Sequence, residues 1–353
     1  MVVRLTGAVL AACILGLCAS SASASTLDNI RDRKILNCGV NPGLAGFSVV
    51  DEQEVWSGFD VDYCRAIAAA VLGDANAVNF VPLTARERFR ELQSGRVDVL
   101  VRDTAWTMGR DTVFGLTFVG VNYYNGFGFM VRKSLGLDSA LQLSGTRVCV
   151  ETGSAGEVAV TQFFATNGMN YTAVSVENDE QQKAAYEMPA PQADAAGATS
   201  TQPYCDVYTG DLVSLYGARL RLTAPDDSVV LPQSLSKEPY GPVVLQDDDQ
   251  WFAIVKWVHF ALVNAEELGV TAANVDQMLN SPNEDARNLL GSEGAFGEGI
   301  GLTNDWAANA VRAVGNYGEI FDRNLGANSS LKIPRGLNAL WTNGGLQFAP
   351  PIR

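Results

Sequence analysis

The feature that most constrains the fold is a regular alternation of strand patterns and helix patterns, which occurs twice along the chain. In the first series, short apolar segments over 35–40 and 77–83 alternate with helically spaced apolar residues over 60–71 and 86–93. Alternation of this kind is typical of a largely parallel sheet covered by helices. The chain is therefore predicted to belong to the α/β class, with one sheet for each series.

The second series begins at residue 127. Its segments, in chain order, are predicted as strands over 127–131 and 146–150, a helix over 156–166, a strand over 171–176, a helix over 178–186 and a strand over 204–208. The last strand ends at Thr209-Gly210-Asp211, so that a strand end again delivers a carboxylate, that of Asp211. Farther along, a long apolar helix is predicted over 250–267, with shorter helices over 305–314 and 317–323.

The first 24 residues are predicted to be a secretory signal peptide. Arg4 precedes an apolar core over 5–19, and Ala22-Ser23-Ala24 offers a cleavage site. Leu10-Ala11-Ala12-Cys13 resembles a lipoprotein cleavage box, but it would leave a very short apolar core, so lipidation is not expected. No other segment is long and apolar enough to span a bilayer. We expect an exported chain without stable membrane insertion, long enough for two lobes of ordinary domain size.

Charge and cysteine content narrow the class of function. The formal net charge of −14 argues against binding to nucleic acid. Four cysteines remain after removal of the signal peptide, namely Cys38, Cys64, Cys149 and Cys205. In an exported chain this even count suggests disulfides, for which three pairings are possible. The spacing of the cysteines and the single His259, which we expect to be a packed helix residue, give no basis for a metal site, and no cofactor is expected.

A polar segment follows the buried strand pattern over 97–101. It contains hydroxyl groups, Asp103, Trp106 and Arg110. In open α/β sheets, ligands bind at the carboxyl ends of strands, and such a set of side chains can hold a small polar anion. The alternative is a surface loop in which Arg110 pairs with Asp103 or Asp111 and is otherwise solvated.

Several motifs resemble those of one family along essentially the whole mature chain. They lie at 58–62, 92–98, 104–107 with 110–111, 239–242, 248–252, 313–318 and 335–341. On these residues the chain is similar to the periplasmic amino-acid-binding proteins of ABC importers, and it most resembles the general L-amino-acid receptors. The first motifs are shared widely among amino-acid receptors, whereas the last three are specific to this subgroup.

The resemblance implies a two-lobed type II periplasmic-binding-protein fold. Each lobe is expected to be a mostly parallel sheet flanked by helices, and two crossing hinge strands are expected to join the lobes. Lobe one would comprise 25–123 plus 241–353, and lobe two 124–240. Disulfides Cys38–Cys64 and Cys149–Cys205 are expected, each within one lobe, because a bridge between lobes would lock the hinge.

The resemblance also assigns roles to residues of the site. Those expected at the ligand carboxylate are Arg110, Ala105, Ser154 and Ala155. Those expected at its ammonium group are Asp211 and Asp103, and those expected at its side chain are Arg88 and Leu44. Arg88 has an alternative interpretation as a solvated helix arginine. The segment 103–107 departs from the subgroup's Asn-Thr-Thr-Trp-Thr, because Asp103 adds a negative charge and Ala105 lacks a hydroxyl. With a long loop over 189–203, this departure predicts altered affinity or specificity.

The expected function is capture of L-amino acids in the periplasm, with broad or polar and acidic specificity, and their delivery to an inner-membrane ABC permease. The receptor is expected to be a monomer and not an enzyme. Two alternatives remain at this point. One is a periplasmic dehydratase of the same fold that acts on prephenate-like or arogenate-like acids, and the other is a sensor ectodomain, against which the lack of a predicted membrane helix argues.

Overall fold

The computed structural model describes residues 25–189 and 204–353. The predicted signal peptide and nearly all of the predicted loop over 189–203 lie outside the described residues. The strands are β1 (Leu36–Val40), β2 (Val49–Val50), β3 (Trp56–Ser57), β4 (Val78–Pro82), β5 (Val99–Leu100), β6 (Leu116–Phe118), β7 (Tyr123–Asn125), β8 (Phe127–Arg132), β9 (Arg147–Glu151), β10 (Thr172–Val176), β11 (Val207–Asp211), β12 (Ser228–Val230), β13 (Glu238–Tyr240) and β14 (Val243–Leu245).

Helices cover the sheets in both halves of the described chain. They are α1 (Thr26–Arg33), α2 (Phe59–Leu72), α3 (Arg88–Gln93), α4 (Met108–Val113), α5 (Ala155–Thr166), α6 (Asp179–Glu187), α7 (Leu212–Leu220), α8 (Asp249–Glu267), α9 (Val275–Met278), α10 (Glu284–Leu290), α11 (Trp306–Val314) and α12 (Tyr317–Asn324). The predicted helices over 60–71, 86–93, 156–166, 178–186, 250–267, 305–314 and 317–323 match α2, α3, α5, α6, α8, α11 and α12 to within two residues at most ends. No helix of the described residues is both long and apolar enough to cross a membrane.

The first sheet has five strands in the order β4-β1-β5-β14-β6. Strand β1 pairs in parallel with β4 and β5, whereas β14 is antiparallel to β5 and β6. Successive side chains enter different apolar clusters, as the period of a strand requires. Val99 packs with residues of α2, α8 and α11 on one face, and Leu100 packs with Val243 and Leu92 of α3 on the other. The sheet is therefore buried on both faces.

The second sheet repeats this arrangement in the order β10-β9-β11-β8-β12. Strand β9 is parallel to β10 and β11, and β8 is antiparallel to β11 and β12. Val148 and Val150 pack with residues of α5, whereas Cys149 packs with residues of α6 and α7 on the opposite face. Two sheets of matching strand order confirm the predicted α/β fold.

Strands β7 and β13 carry the chain between the two sheets. Strand β7 connects β6 of the first sheet to β8 of the second, and β13 connects β12 back to β14. The two crossings pair antiparallel, with Tyr123 opposite Tyr240 and Asn125 opposite Glu238. The strands that follow the crossings, β8 and β14, enter their sheets in the reverse direction. In each sheet four strands thus run in one direction, and the remaining strand, β14 or β8, runs in the opposite direction.

The last strand of the second series lies farther along the chain than predicted. The prediction is 204–208, whereas β11 covers Val207–Asp211 and includes Thr209 and Gly210. Antiparallel pairing with β8 places Gly210 opposite Gly128, and the Thr209 hydroxyl donates to the Cys149 carbonyl at 2.7 Å. Pairing with a distant strand thus sets the bounds of this strand. Asp211 still ends the strand, and it is also the N-cap of α7, a helix that the sequence analysis does not predict.

Each half contains one disulfide, which links two segments of that half. Cys38 of β1 is bonded to Cys64 of α2, and Cys149 of β9 is bonded to Cys205, which precedes β11. This is the pairing that the resemblance implies. Neither bridge ties the first sheet to the second.

His259 is a packed residue of α8, as the sequence indicates. Its ring is 3% exposed, and its Nδ1 lies 3.1 Å from the Tyr63 hydroxyl. Burial lowers the pKa of His259 to about 4, because the low-dielectric core disfavours the charged imidazolium. Between about pH 4 and pH 6.5 the imidazole is therefore mostly neutral in the folded protein and mostly protonated in the unfolded chain.

A pH-dependent loss of stability is expected from this ring. Between about pH 6.5 and pH 4 the unfolded chain binds a proton at His259 that the folded chain does not, so acidification favours unfolding. The wild type should lose about 3 kcal/mol more than His259→Gln between pH 7 and pH 4. Urea unfolding of both proteins at the two pH values measures the difference. Equal losses in the two proteins would contradict this assignment.

Candidate ligand-binding site

Arg110 lies on the short helix α4, just beyond the end of β5. Thr107 caps this helix by accepting a hydrogen bond from the Arg110 N–H, and Arg110 Nη1 donates to the Ala105 carbonyl at 2.6 Å. Among the described residues Arg110 forms no ion pair, so the predicted alternative of pairing with Asp103 or Asp111 is not observed. The backbone thus positions the guanidinium, which has no carboxylate within ion-pair distance in the described part of the chain.

Arg88 is buried beside Arg110 and Arg102. Its exposed fraction is 7%, which excludes the solvated interpretation, and its guanidinium lies over the Phe89 ring at 4.7 Å. Burial and the positive charges of Arg102 and Arg110 lower the pKa of Arg88 to about 10. The Nε of Arg88 has no hydrogen-bond partner within the part of the chain that the structure describes. A buried donor without a partner is costly, and an incoming acceptor would relieve that cost.

Asp103 is the carboxylate that lies among these arginines. Its Oδ1 accepts from Asn41 Nδ2 at 2.9 Å, and its Oδ2 lies 3.6 Å from Arg102 Nη1. Its backbone N–H donates to Asp60 Oδ2 at 3.1 Å. The carboxylate of Asp103 therefore offsets part of the positive charge in the first-sheet half of the site.

Leu44 and Ala105 are the other predicted site residues in the first half of the chain. Leu44 follows the turn that contains Asn41, and it is only partly buried against the core. Ala105 forms an isolated antiparallel bridge with Tyr240 of the crossing strand β13. Its backbone is thus fixed next to the crossing, although it lacks a hydroxyl group.

The second sheet contributes a polar cavity of about 350 Å³. Its lining includes Phe127, Glu151, Ser154, Gly156, Asp179, Gln182, Thr209, Gly210, Asp211, Ser214 and Arg221. Ser154 and Asp211, both predicted from the sequence, are the N-caps of α5 and α7, and their side chains accept from the N–H groups of Glu157 and Ser214. Because the first turn of a helix presents N–H groups without helical partners, the starts of α5 and α7 border the cavity, which also contains the Asp211 carboxylate. The Ser154 N–H itself donates to the Glu151 carbonyl at 3.2 Å.

The side chain of Glu157 reaches the same helix end. Its carboxylate accepts from the Gly153 N–H at 2.8 Å. One donor of the loop is thus occupied by the protein itself. The amide groups that remain for a ligand are those at the start of α5.

The crossing strands connect the two halves through polar contacts that the sequence analysis does not predict. Asn125 Nδ2 donates to Asp211 Oδ1 at 3.1 Å and to the Tyr240 hydroxyl at 2.7 Å. Burial raises the pKa of Glu238, with opposing effects from the charges of Arg110 and Asp211. Glu238 therefore lies near residues of both halves. Arg110 does not line the cavity of the second sheet, so the predicted ligand residues form two groups on either side of the crossing.

The described residues contain no cluster of three or more His, Cys, Asp or Glu side chains that could hold a metal ion. The polar groups of the site are instead arginines, carboxylates and helix-end amides. Such groups bind an organic ion by charge and hydrogen bonding.

Two sheets of matching strand order, joined by paired crossing strands and bearing polar groups on both sides of the crossing, define a two-lobed solute receptor of the type II periplasmic-binding-protein fold. The sequence profile of the bacterial extracellular solute-binding proteins, family 3, matches residues 36–283. The chain belongs to this family.

Two relatives are similar over nearly their whole length. The General L-amino acid-binding periplasmic protein AapJ of Rhizobium johnstonii is 51% identical over 352 residues, which covers 99% of each chain. The Glutamate/glutamine/aspartate/asparagine-binding protein BztA of Rhodobacter capsulatus is 49% identical over 341 residues, which covers 96% of this chain and 97% of the relative. These relatives are solute-binding proteins, and the chain is accordingly a receptor and not an enzyme.

A solved structure is also similar at high identity. It is an ABC transporter periplasmic binding protein from Brucella ovis with glutathione bound. The two chains are 49% identical with a TM-score of 0.78, and the match covers 94% of this chain and 100% of the other.

Proposed function

We propose that this protein captures L-amino acids in the periplasm and delivers them to an inner-membrane ABC permease. The observation that carries the proposal is the pair of opposite charges on either side of the crossing: Arg110 without an ion pair in the described residues, and Asp211 at the end of β11. An α-amino acid bears a carboxylate and an ammonium group on one carbon, and it needs both kinds of partner. The names of the full-length relatives support the same ligand class.

The roles of the site residues follow from their chemistry. Arg110 binds the ligand carboxylate, because a planar guanidinium can donate two parallel hydrogen bonds. The backbone N–H of Ala105 and the start of α5 at Ser154 and Ala155 add donors to the same carboxylate. Asp211 accepts from the ammonium group. Leu44 and Arg88 border the ligand side chain.

Closure of two lobes completes the site. Lobe one comprises 25–123 plus 241–353, and lobe two comprises 124–240, so that β7 and β13 form the hinge. Because Arg110 and Asp211 belong to different lobes, a bound amino acid links them and favours the closed form. The protein works as a monomer, and the signal peptide over 1–24 directs it to the periplasm.

Glutathione is a second candidate ligand, favoured by the similar structure from Brucella ovis. Its γ-glutamyl group carries a free α-carboxylate and α-ammonium, which match Arg110 and Asp211. The cavity extends from Asp211 along α7 past Ser214 to Arg221. Ser214 and Arg221 are seven residues apart, about 10 Å along a helix, a length comparable to that of an extended tripeptide.

Calorimetric titration of ligand-stripped protein with the twenty amino acids and with glutathione tests both candidates. A ligand that binds the folded form alone at a hundredfold excess over its Kd stabilises by about 2.7 kcal/mol. The melting temperature should therefore rise by several degrees with each bound amino acid, and small-angle scattering should detect a more compact protein. Unchanged titration, melting and scattering with all twenty amino acids would overturn the amino-acid proposal.

A further inference from the structure

The first-sheet half of the cleft carries surplus positive charge. Arg88 and Arg102 are 7% and 6% exposed, and the charges of Arg102 and Arg110 both act on Arg88. Arg102 Nε is satisfied by the Leu83 carbonyl at 2.8 Å, whereas Arg88 Nε has no partner in the described part of the chain. Charges of three carboxylates act on this group: Asp103 on Arg88, Glu238 on Arg110 and the buried Asp60 on Arg102. Among the described residues, Asp103 is the carboxylate that forms an ion pair with one of these arginines, Arg102.

Both oxygens of Asp103 are directed at protein groups. Oδ1 accepts from Asn41 Nδ2 at 2.9 Å, and Oδ2 lies 3.6 Å from Arg102 Nη1. The backbone is fixed as well, because φ is 35° and the N–H donates to Asp60. Aspartate and asparagine tolerate this left-handed conformation better than most residues. Both oxygens of Asp103 thus interact with the protein itself, and the resemblance assigns to Asp103 a contact with the ligand ammonium group.

Asp60 lies behind Asp103 and is 2% exposed. Burial and the charge of Asp103 raise the pKa of Asp60 well above its ordinary value, because both disfavour a second negative charge there. The side chain of Asp103 is 17% exposed, so Asp103 and not Asp60 is the carboxylate that an incoming ligand meets among the arginines.

We propose that Asp103 is an internal counter-ion of the arginine cluster formed by Arg88, Arg102 and Arg110, and that it limits the receptor's preference for acidic over uncharged amino acids. The inference rests on the proposed function. A ligand whose α-carboxylate binds Arg110 can extend a second carboxylate toward Arg88. That carboxylate is attracted by the arginines and repelled by Asp103, so Asp103 reduces the gain from the extra charge. An uncharged side chain does not experience this repulsion.

Asp103→Asn tests the proposal with glutamate and glutamine as probes. The two ligands have almost the same shape and differ in one charge. Asparagine retains the left-handed conformation and an oxygen that can accept from Asn41. The Kd for glutamine divided by the Kd for glutamate should rise about tenfold in the variant, because one repulsive charge is removed. Calorimetric titration at neutral pH gives both constants.

Asp111→Asn is a matched control. Asp111 is half-buried on α4, and it forms no ion pair within the described residues. The control removes the same charge from the same stretch of chain but outside the arginine cluster, so the ratio should stay at the wild-type value. An equal rise in both variants would indicate a general charge effect and would overturn the proposal.

Two further outcomes would also overturn it. Uniform weakening of glutamate, glutamine and leucine in Asp103→Asn would identify Asp103 as a ligand of the ammonium group. An unchanged ratio would show that its charge does not influence selectivity. Melting curves establish that the variant is folded, and Asp103→Ser, which also removes the charge, provides a second variant. Wild-type protein that binds no amino acid would refute the proposed function itself, a result distinct from binding with an unchanged ratio.

Discussion

Arg110→Ala should weaken the binding of every amino acid by about 30-fold to several thousand-fold. The α-carboxylate is common to all ligands, and without Arg110 it would be buried in the closed cleft with its main charge partner missing. Loss of one member of such a desolvated pair costs about 2–5 kcal/mol. Titration of glutamate, glutamine and leucine against wild type and variant measures the effect. Arg110→Lys should recover only part of the affinity, because an ammonium group keeps the charge but lacks the planar fork.

The effect of Arg110→Ala on the three ligands should be compared with that of Arg88→Ala. Arg88 is buried next to Arg110, but we place it at the ligand side chain, so its loss should weaken glutamate more than leucine. Uniform loss in Arg88→Ala together with selective loss in Arg110→Ala would reverse the two roles. Melting curves of both variants separate lost binding from lost folding.

Replacement of both Cys149 and Cys205 by alanine should cost about 4 kcal/mol of stability. The two cysteines are 56 residues apart in sequence, and their bridge encloses α5, β10 and α6. In the chain-entropy description, a cross-link that closes a loop of this length restricts the unfolded chain by about that amount. The melting temperature should fall on the order of 10 °C.

The Cys38→Ala and Cys64→Ala pair is the matched variant for the other bridge. Its shorter separation of 26 residues predicts a slightly smaller loss, about 3.5 kcal/mol. Reduction of the wild type should lower stability at least as far as either pair does. A melting temperature unaffected by loss of Cys149 and Cys205 would contradict the prediction.

Elements with strong local signals could be predicted from the sequence. Helix α8 has a long apolar pattern that begins after three aspartates, and one of them, Asp248, accepts from the Trp251 N–H as the N-cap. Gly73 ends α2 in the left-handed conformation, as its position indicates. Strand β1 is short and mostly apolar, and four of its five residues are buried because both faces of its sheet are covered. In each case the information lies within a few consecutive residues.

Features that depend on distant parts of the chain could not be predicted in this way. The continuation of β11 through Gly210 requires β8 as its partner, and the contacts of Asn125 with Asp211 and Tyr240 join three separate segments. The burial of Arg88 is of the same kind. Its helix α3 has only six residues, and neighbouring segments, not its own pattern, remove the guanidinium from solvent. Periodicity does not encode such contacts.

With β7 and β13 as its paired crossing strands, the receptor has two properties that evolution can adjust independently. One is the balance between open and closed forms, and the other is the ratio of its affinities for different ligands. In the proposed closure, the balance between open and closed forms depends on the pairing of Tyr123–Asn125 with Glu238–Tyr240. A change there that makes the closed form tenfold rarer would raise every apparent Kd tenfold and leave their ratios intact. Changes around Arg88 and Asp103 would alter the ratios instead. A receptor of this design can be tuned to scarce or abundant nutrients without any change in which nutrients it prefers.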